Sequence, residues 1–266
     1  MPGTHAGSRR HILDWVEGRG GDFVASANAL IAPTGAVLAA ERAWMPTGHA
    51  HAAEARLGRP CEPLLTAAFS QRLREWWLAV PKPTANDPNW DLAAVATFPG
   101  GVRGLLLVEA KAHLGELAGE MIGKRWNATS NRENHDRIGA AIAEARQALG
   151  GEAAGIGISR DRCYQFSNRV AFAWRLASWG VPVVLVYLGF TGDRDVAGPG
   201  QMIRDDAHWG ALMLEHTRNL MPAAAWETPL PTTGATFWML MRSLPAPSGA
   251  PTVLTVPGHS AVPGAR

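Results

Sequence analysis

The sequence predicts an α/β domain with a central mixed β-sheet flanked by helices. Two continuous apolar runs, residues 105–108 and residues 181–190, are typical of strands that are covered on both faces. Segments with apolar residues at helical spacing lie around these runs. Helical and buried-strand patterns that alternate along one chain favour an α/β architecture.

The composition indicates one globular unit. Hydrophobic residues make up 47% of the 266 residues and charged residues 18%, which is ordinary for a single core of this length. No apolar run reaches the roughly 20 residues that cross a bilayer, and the first residues lack the apolar block of a secretory signal. Cys61 and Cys163 stand alone, without the spacing of a zinc site or a disulfide framework. We therefore expect a cytoplasmic protein without membrane contact, with an N-terminal, partly helical extension packed on the core (1–59), a core domain with a C-terminal helical elaboration (60–244) and a disordered tail (245–266).

The first element with a clear period is a helix over residues 63–79. Its apolar residues recur at helical spacing, and Pro81 and Pro83 end the pattern. Residues before about Ala50 show no comparable period, so no element is assigned there.

A β-hairpin follows this helix. Residues 90–98 form a short strand rich in apolar residues, Pro99, Gly100 and Gly101 turn the chain, and residues 105–112 return as a second strand. Because the second strand begins with an unbroken apolar run, it should be central in the sheet.

The rest of the chain alternates between helical patterns and one strong strand signal. Glycines end two of the helical patterns, and a proline opens the strand. The predicted helices cover residues 115–123, 134–149, 164–179 and 206–220, and the predicted strand covers residues 181–190.

Charged residues mark both strands of the hairpin at the same end. Glu109 and Lys111 are two positions apart on a strand, so they project to one face. Asp91 begins the preceding strand, and pairing through the turn brings it to the same open end as Glu109. Burying such charges costs several kcal/mol unless they are paired or bind an ion. The pattern therefore predicts a cation site.

The residue types suit a hydrolytic metal site. Two carboxylates are hard ligands for Mg²⁺ or Mn²⁺, and such an ion activates water and neutralises charge on phosphorus. The ammonium of Lys111 can orient the water or stabilise the developing charge, which the planar guanidinium of arginine does less well. Only three of the 25 basic residues are lysines: Lys82, Lys111 and Lys124.

These residues resemble the motif of the PD-(D/E)XK nuclease superfamily, the fold of many restriction endonucleases and recombination exonucleases. The likeness rests on Asp91 in Asn-Trp-Asp, on the strand that ends in Glu109-Ala-Lys111, and on the following helix and final apolar strand, within about residues 60–190. The resemblance implies a restriction-endonuclease-like core, Asp91 and Glu109 as metal ligands, and Lys111 as the catalytic lysine.

The resemblance also implies features that the sequence does not locate. The superfamily often adds a Glu on the first helix, for which Glu62 and Glu75 are both candidates. It also has a first core strand between that helix and Asp91, and no segment here shows one.

A later helix adds polar candidates. Gln165, Asn168 and Arg169 cluster at helical spacing, with Gln165 and Arg169 one turn apart. This resembles the glutamine-bearing helix of the exonuclease-like branch, in which Tyr follows four residues later, where this chain has Arg169. We expect Gln165 at the catalytic site and Asn168 and Arg169 on nucleic acid, because the forked donors of Arg169 suit a phosphate. The alternative is a solvated helix face.

Three further residues are candidates for nucleic-acid contact. Lys124 and Arg125 belong to a basic segment in which Trp126 offers a stacking plane. His113 lies two residues beyond Lys111 and either touches substrate or merely finishes the strand.

The sequence therefore predicts a Mg²⁺- or Mn²⁺-dependent nuclease that cleaves DNA, with RNA as the less favoured substrate and a homodimer as a possible assembly. Two rival interpretations stay open. One is a nucleic-acid-binding module of the same fold without chemistry, and the other is an unrelated α/β protein in which Glu109 and Lys111 form a structural ion pair.

Overall fold

The computed structural model describes residues 6–82, 85, 87–126, 131–193, 195 and 201–247. Helices and strands alternate through most of this part of the chain. The helices are α1 (Gly7–Val16), α2 (Phe23–Ile31), α3 (Ala67–Trp77), α4 (Leu114–Gly119), α5 (Arg132–Ala148), α6 (Tyr164–Ser178) and α7 (Asp206–Thr217). The strands are β1 (Val37–Leu38), β2 (Trp44–Met45), β3 (Ala55–Arg56), β4 (Asn89–Trp90), β5 (Leu92–Phe98), β6 (Val102–Lys111), β7 (Val183–Thr191), β8 (Pro229–Leu230) and β9 (Phe237–Pro245).

A seven-stranded mixed sheet forms the centre of the molecule. Its order is β1-β5-β6-β7-β9-β8, and β2 also pairs with β5. β5 runs antiparallel to β6, whereas β7 runs parallel to both β6 and β9. The predicted α/β fold with a central mixed sheet flanked by helices is confirmed, and β6 lies inside the sheet as its apolar run predicts.

Helices cover both faces of this sheet. Alternation along β6 sends Leu106 and Val108 to the face covered by α1 and α2, and Leu105 and Leu107 to the face covered by α3, α5, α6 and α7. Both faces are apolar and buried, which explains the unbroken hydrophobic runs in the sequence.

The hairpin differs from its predicted form at Asp91. A bend at this residue divides the predicted strand into β4 and β5, and β4 pairs with β3 in a separate two-stranded sheet. The turn between β5 and β6 is as predicted. Gly100 and Gly101 adopt φ values of 80° and 76°, a left-handed conformation that favours glycine.

The remaining predicted helices and the strand over residues 181–190 are present with shifted ends. The helix predicted from residue 63 begins only at Ala67, because Thr66 caps it by accepting a hydrogen bond from the Phe69 backbone N–H. No strand occurs between α3 and β4 in the described residues. Instead β1 and β2, which precede α3 in the chain, pair antiparallel with β5.

Two regions contain elements whose bounds were not predicted. Helices α1 and α2 lie in the N-terminal extension, which was expected to be partly helical. The C-terminal elaboration is only partly helical, because β9 inserts between β7 and β8 and extends to Pro245. β9 includes the first residue of the predicted tail, Pro245. Residues 248–266 of that tail lie outside the described residues. Both cysteines are free. None of the described helices is long and apolar enough to span a bilayer.

Candidate active site

The candidate site lies at the end of β6, on the sheet face that α6 covers. Continued by one residue, the antiparallel register of β5 and β6 puts Asp91 beside Glu109. The Ala110 backbone N–H donates a 2.8 Å hydrogen bond to Asp91 Oδ2 and holds this arrangement. Glu109 and Lys111 project to the same face because side chains alternate along a strand. The structure thus brings together the three residues predicted as a catalytic core.

The Glu109 carboxylate is buried and accepts hydrogen bonds from three side chains. Lys111 Nζ and Gln165 Nε2 each lie 2.5 Å from its Oε1 atom, and Arg169 Nε lies 2.6 Å from its Oε2 atom. Helix α6 supplies Gln165 and Arg169 from adjacent turns of one face, as their spacing predicts. These donors compensate the desolvation of the carboxylate.

Arg169 and Asn168 lie inside the protein. The guanidinium of Arg169 is centred 5.0 Å from the Trp90 ring, and its Nη1 atom donates a 2.7 Å hydrogen bond to Asn168 Oδ1. Both residues are buried. They therefore do not form the solvated helix face that was the alternative interpretation, and their contact with nucleic acid stays a prediction.

Lys111 contacts a second carboxylate that the sequence analysis did not single out. Its Nζ atom lies 2.9 Å from Glu120 Oε1, and His216 Nε2 of α7 lies 3.1 Å from Glu120 Oε2. Glu120 is 1% exposed, so Lys111 and His216 must compensate the cost of burying its carboxylate. Neither residue carries a local sequence signal, because α4 and α7 bring them together across 96 residues.

Tyr187 is another member of the site that sequence reasoning missed. It lies opposite Glu109 in the parallel pairing of β6 with β7. Its hydroxyl is buried and has no hydrogen-bond partner in the described part of the chain. Burial, followed by the charges of Glu120 and Glu109, raises the pKa of Tyr187, which stays protonated. A tyrosine hydroxyl within an otherwise apolar strand is the signal that identifies such a residue.

The protonation states follow from these contacts. Burial disfavours the charged form of Glu109, but the charges of Arg169 and Lys111 outweigh it and lower its pKa. Burial likewise opposes the charge of Lys111, yet its carboxylate neighbours raise its pKa above the ordinary value. Burial and then the nearby Glu109 raise the pKa of Asp91 to about 7. Lys111 is thus a permanent cation, whereas Asp91 titrates near neutral pH.

The donor set fits one divalent cation. Among the described residues, the carboxylates of Asp91, Glu109 and Glu120 share this site with two permanent cations, Lys111 and Arg169, and with His216. Within the described ranges no three His, Cys, Asp or Glu side chains are grouped to hold a metal. Two carboxylates suffice for Mg²⁺, however, because that ion keeps several of its waters.

The atoms available for such an ion belong to Asp91 and Glu109. Asp91 Oδ1 accepts no hydrogen bond from the described residues, and Glu109 Oε2 accepts one, from Arg169. A carboxylate oxygen has two lone pairs, so both atoms retain capacity. A cation there would also reduce the repulsion that raises the pKa of Asp91.

The other candidates lie away from these contacts. Glu62 is exposed and precedes α3, and Glu75 is exposed on α3, so neither supplies a helix-borne carboxylate to the site. His113 lies two residues beyond the end of β6 and caps α4 with its imidazole. Lys124 and Arg125 line a surface cleft.

Comparison of the chain with family models, curated proteins and solved structures finds no match in any of the three.

Proposed function

We propose that this chain is a divalent-metal-dependent nuclease that hydrolyses phosphodiester bonds in DNA, or less favourably in RNA. One observation carries the proposal: Asp91, at the bend before β5, accepts a hydrogen bond from the backbone N–H of Ala110, the residue between Glu109 and Lys111, whose side chains form an ion pair. The raised pKa of Asp91, which burial and the charge of Glu109 produce, supports an additional positive ion at this position.

In this proposal the side chains have separate roles. Asp91 and Glu109 would hold the ion, which, when bound, would lower the pKa of a water and neutralise phosphate charge. Lys111 stabilises negative charge on the phosphoryl oxygens, and its raised pKa excludes it as a proton acceptor. Gln165 and Arg169 orient the Glu109 carboxylate through their hydrogen bonds.

The proposal is tested by combining calorimetric Mg²⁺ titration with a plasmid-nicking assay. Asp91→Ala and Glu109→Ala should abolish both metal binding and cleavage. Lys111→Ala should retain metal binding and lose turnover. Glu75→Ala is a matched control, since it removes an exposed carboxylate away from the site and should leave both readouts unchanged. Undiminished cleavage by Glu109→Ala would contradict the proposal.

The three hydrogen bonds to Glu109 favour a second candidate, a structural ion network in a protein without nuclease chemistry. Its two oxygens already accept hydrogen bonds from Lys111, Gln165 and Arg169. This candidate predicts that Mg²⁺ and Mn²⁺ leave the melting temperature unchanged, because only a ligand of the native state stabilises it. The nuclease proposal predicts a rise that Glu109→Ala removes.

A further inference from the structure

A surface cleft of about 650 Å³ is lined by residues 121–126, His135 and Asp161. Its apolar part is formed by Met121, Ile122 and Trp126, which are 54%, 63% and 46% exposed. These are half of the six large apolar side chains that are exposed in the described structure. Apolar groups concentrated in one concave surface usually mark a binding site.

Two chain segments connect this cleft to the buried carboxylates. The segments 120–124 and 160–165 run side by side, joined by hydrogen bonds from Lys124 N to Arg160 O (2.8 Å) and from Tyr164 N to Ile122 O (3.1 Å). The first segment begins at Glu120, the partner of Lys111, and the second ends at Gln165, the partner of Glu109. The lining of the cleft is therefore continuous along the chain with two residues of the site.

The charges around the cleft favour an anionic ligand. The carboxylate of Asp161, which also lines it, is neutralised by Arg160, whose Nε and Nη2 atoms lie 2.8 Å and 3.1 Å away. Lys124 and Arg125 add two positive charges to the lining. The guanidinium of Arg132 lies 5.4 Å from the centre of the Trp126 ring, which places a further cation beside the exposed indole.

An exposed indole between cations fits one class of ligand particularly well. Unpaired nucleobases stack on aromatic rings while the adjoining phosphates contact lysine and arginine. A base pair within a duplex offers no exposed face of this kind. We propose that the cleft binds single-stranded nucleic acid, with a base stacked on Trp126 and its phosphates on Lys124 and Arg125, and that it delivers the strand to the candidate active site. The delivery step rests on the proposed nuclease function, whereas binding to the cleft does not.

Fluorescence anisotropy with labelled oligonucleotides tests binding separately from cleavage. The full chain, in chelator, is titrated against a single strand of about 20 nucleotides, its duplex, and an abasic strand with the same phosphates. DNA and RNA versions of the single strand show which sugar is accepted. We expect the single strand to bind more tightly than either the duplex or the abasic strand.

Substitutions at the indole isolate the stacking contribution. Trp126→Ala should weaken single-strand binding about tenfold, and Trp126→Phe should restore most of it because a ring is retained. Leu214→Ala, which removes another exposed apolar side chain on α7, is the control and should bind like the unmodified chain. Because Trp126 is half-exposed, Trp126→Ala should keep its melting temperature.

The outcomes distinguish this inference from the proposed function. Equal affinity for single strand and duplex, or unchanged binding by Trp126→Ala, overturns the inference even if Mg²⁺-dependent cleavage occurs. Single-strand binding that depends on Trp126 supports the inference even if no cleavage is found, and that absence of cleavage overturns the proposed function alone.

Discussion

The carboxyl group of Asp91 binds its proton more tightly in the folded chain than in the unfolded one. Burial and then the charge of Glu109 raise its pKa from 3.8 to about 7. An acid with a raised pKa favours the folded state when protonated, so this contribution is complete below about pH 4 and declines as the pH rises to about 7. The loss amounts to at most about 4 kcal/mol, at 1.36 kcal/mol per pKa unit.

Asp91→Asn should remove this pH dependence. An amide carries no charge at any of these pH values, so the variant should be more stable than the unmodified chain at about pH 8 and similar to it at about pH 4. Urea unfolding in metal-free buffer measures both differences. A variant less stable than the unmodified chain at about pH 8 would show that Asp91 has a compensating partner.

The same titration should control metal affinity. Mg²⁺ requires the ionised form of Asp91, so binding releases one proton at pH values below about 7. The association constant should therefore rise about tenfold per pH unit up to about 7 and then level off. Calorimetry in two buffers of different ionisation enthalpy counts the released protons. Affinity that is independent of pH across this range would place the ion elsewhere.

The guanidinium of Arg169 would compete with a divalent ion for the carboxylate of Glu109. Its Nε atom lies 2.6 Å from Glu109 Oε2, the oxygen that would share a divalent ion with Asp91. Arg169→Gln should strengthen Mg²⁺ binding about tenfold, because a nearby positive charge is removed. It should also destabilise the metal-free protein by about 3 kcal/mol, since Glu109 loses a buried partner. Calorimetry and thermal unfolding measure these opposite effects.

A weaker Mg²⁺ affinity in Arg169→Gln would contradict that expectation. It would mean that the guanidinium orients Glu109 for the metal more than it competes with it. Gln165→Ala, which removes an uncharged donor to the same carboxylate, separates orientation from charge, because it should not strengthen binding.

At the level of elements, contact between α7 and β7 positions His216 at the site. Trp209 of α7 packs on Gly189 of β7, and its indole N–H lies 3.3 Å from the Tyr187 carbonyl oxygen. A Cβ atom added at Gly189 would lie 2.6 Å from Trp209 Cδ2. The close packing therefore depends on glycine at this position.

Gly189→Ala should displace α7 and weaken the Glu120–His216 pair. We expect a loss of about 1–3 kcal/mol in unfolding free energy, typical of overpacking, together with reduced turnover. Gly210→Ala is the matched control: it lies on α7 with open space around it and should stabilise the helix by about 0.5–1 kcal/mol. Equal melting temperatures of the two variants would contradict the expected displacement.

The elements that the sequence predicted well are those with a clear local pattern of apolar residues. β7 has an unbroken apolar run, and α5 and α6 have regular helical patterns. α1 was missed because its buried His11 and Asp14 interrupt the apolar pattern. Their partners, Asp193 and His49, are distant in the chain, and such long-range compensation has no local signature.

The residues of the candidate site fall into the same two groups: those that local patterns predict and those that long-range packing adds. Strand alternation and the hairpin turn predicted that Asp91, Glu109 and Lys111 lie together, and helical spacing predicted that Gln165 and Arg169 share a face. The buried state of Arg169 was not predicted, because burial depends on how α6 docks against the sheet. Packing between elements that are remote in sequence brings the remaining three residues to the site: Glu120, His216 and Tyr187.

At the scale of the whole molecule, the sheet carries its buried charges at one end of β6 and buried apolar side chains along the rest of that strand. β6 is fully buried from Gly104 to Lys111, and its last residues hold the ionic network. Buried ionic groups stabilise little by themselves, whereas the apolar layers on both faces supply most of the folding free energy. The site is thus supported by a core that extends from α1 on one side to α7 on the other.

The position of β9 inside this sheet leads to a prediction about truncation. β9 pairs with β7 along its whole length and with β8 on its other side. Its Phe237, Met239 and Leu240 side chains are fully buried. Removing them forfeits about 2–5 kcal/mol each, which together approaches or exceeds a typical domain stability of about 5–15 kcal/mol.

A chain that ends at residue 234 should therefore fail to fold cooperatively. A chain that ends at residue 247 is the control, because it retains every described contact of β9, and it should unfold like the full chain. Circular dichroism during heating and near-ultraviolet spectra, which report on the buried tryptophans, measure the difference. Because β7 would become an edge strand with exposed pairing groups, the shorter chain should also aggregate. A cooperative, monomeric chain of 234 residues with unchanged Mg²⁺ binding would show instead that β6 and β7 hold the site without β9.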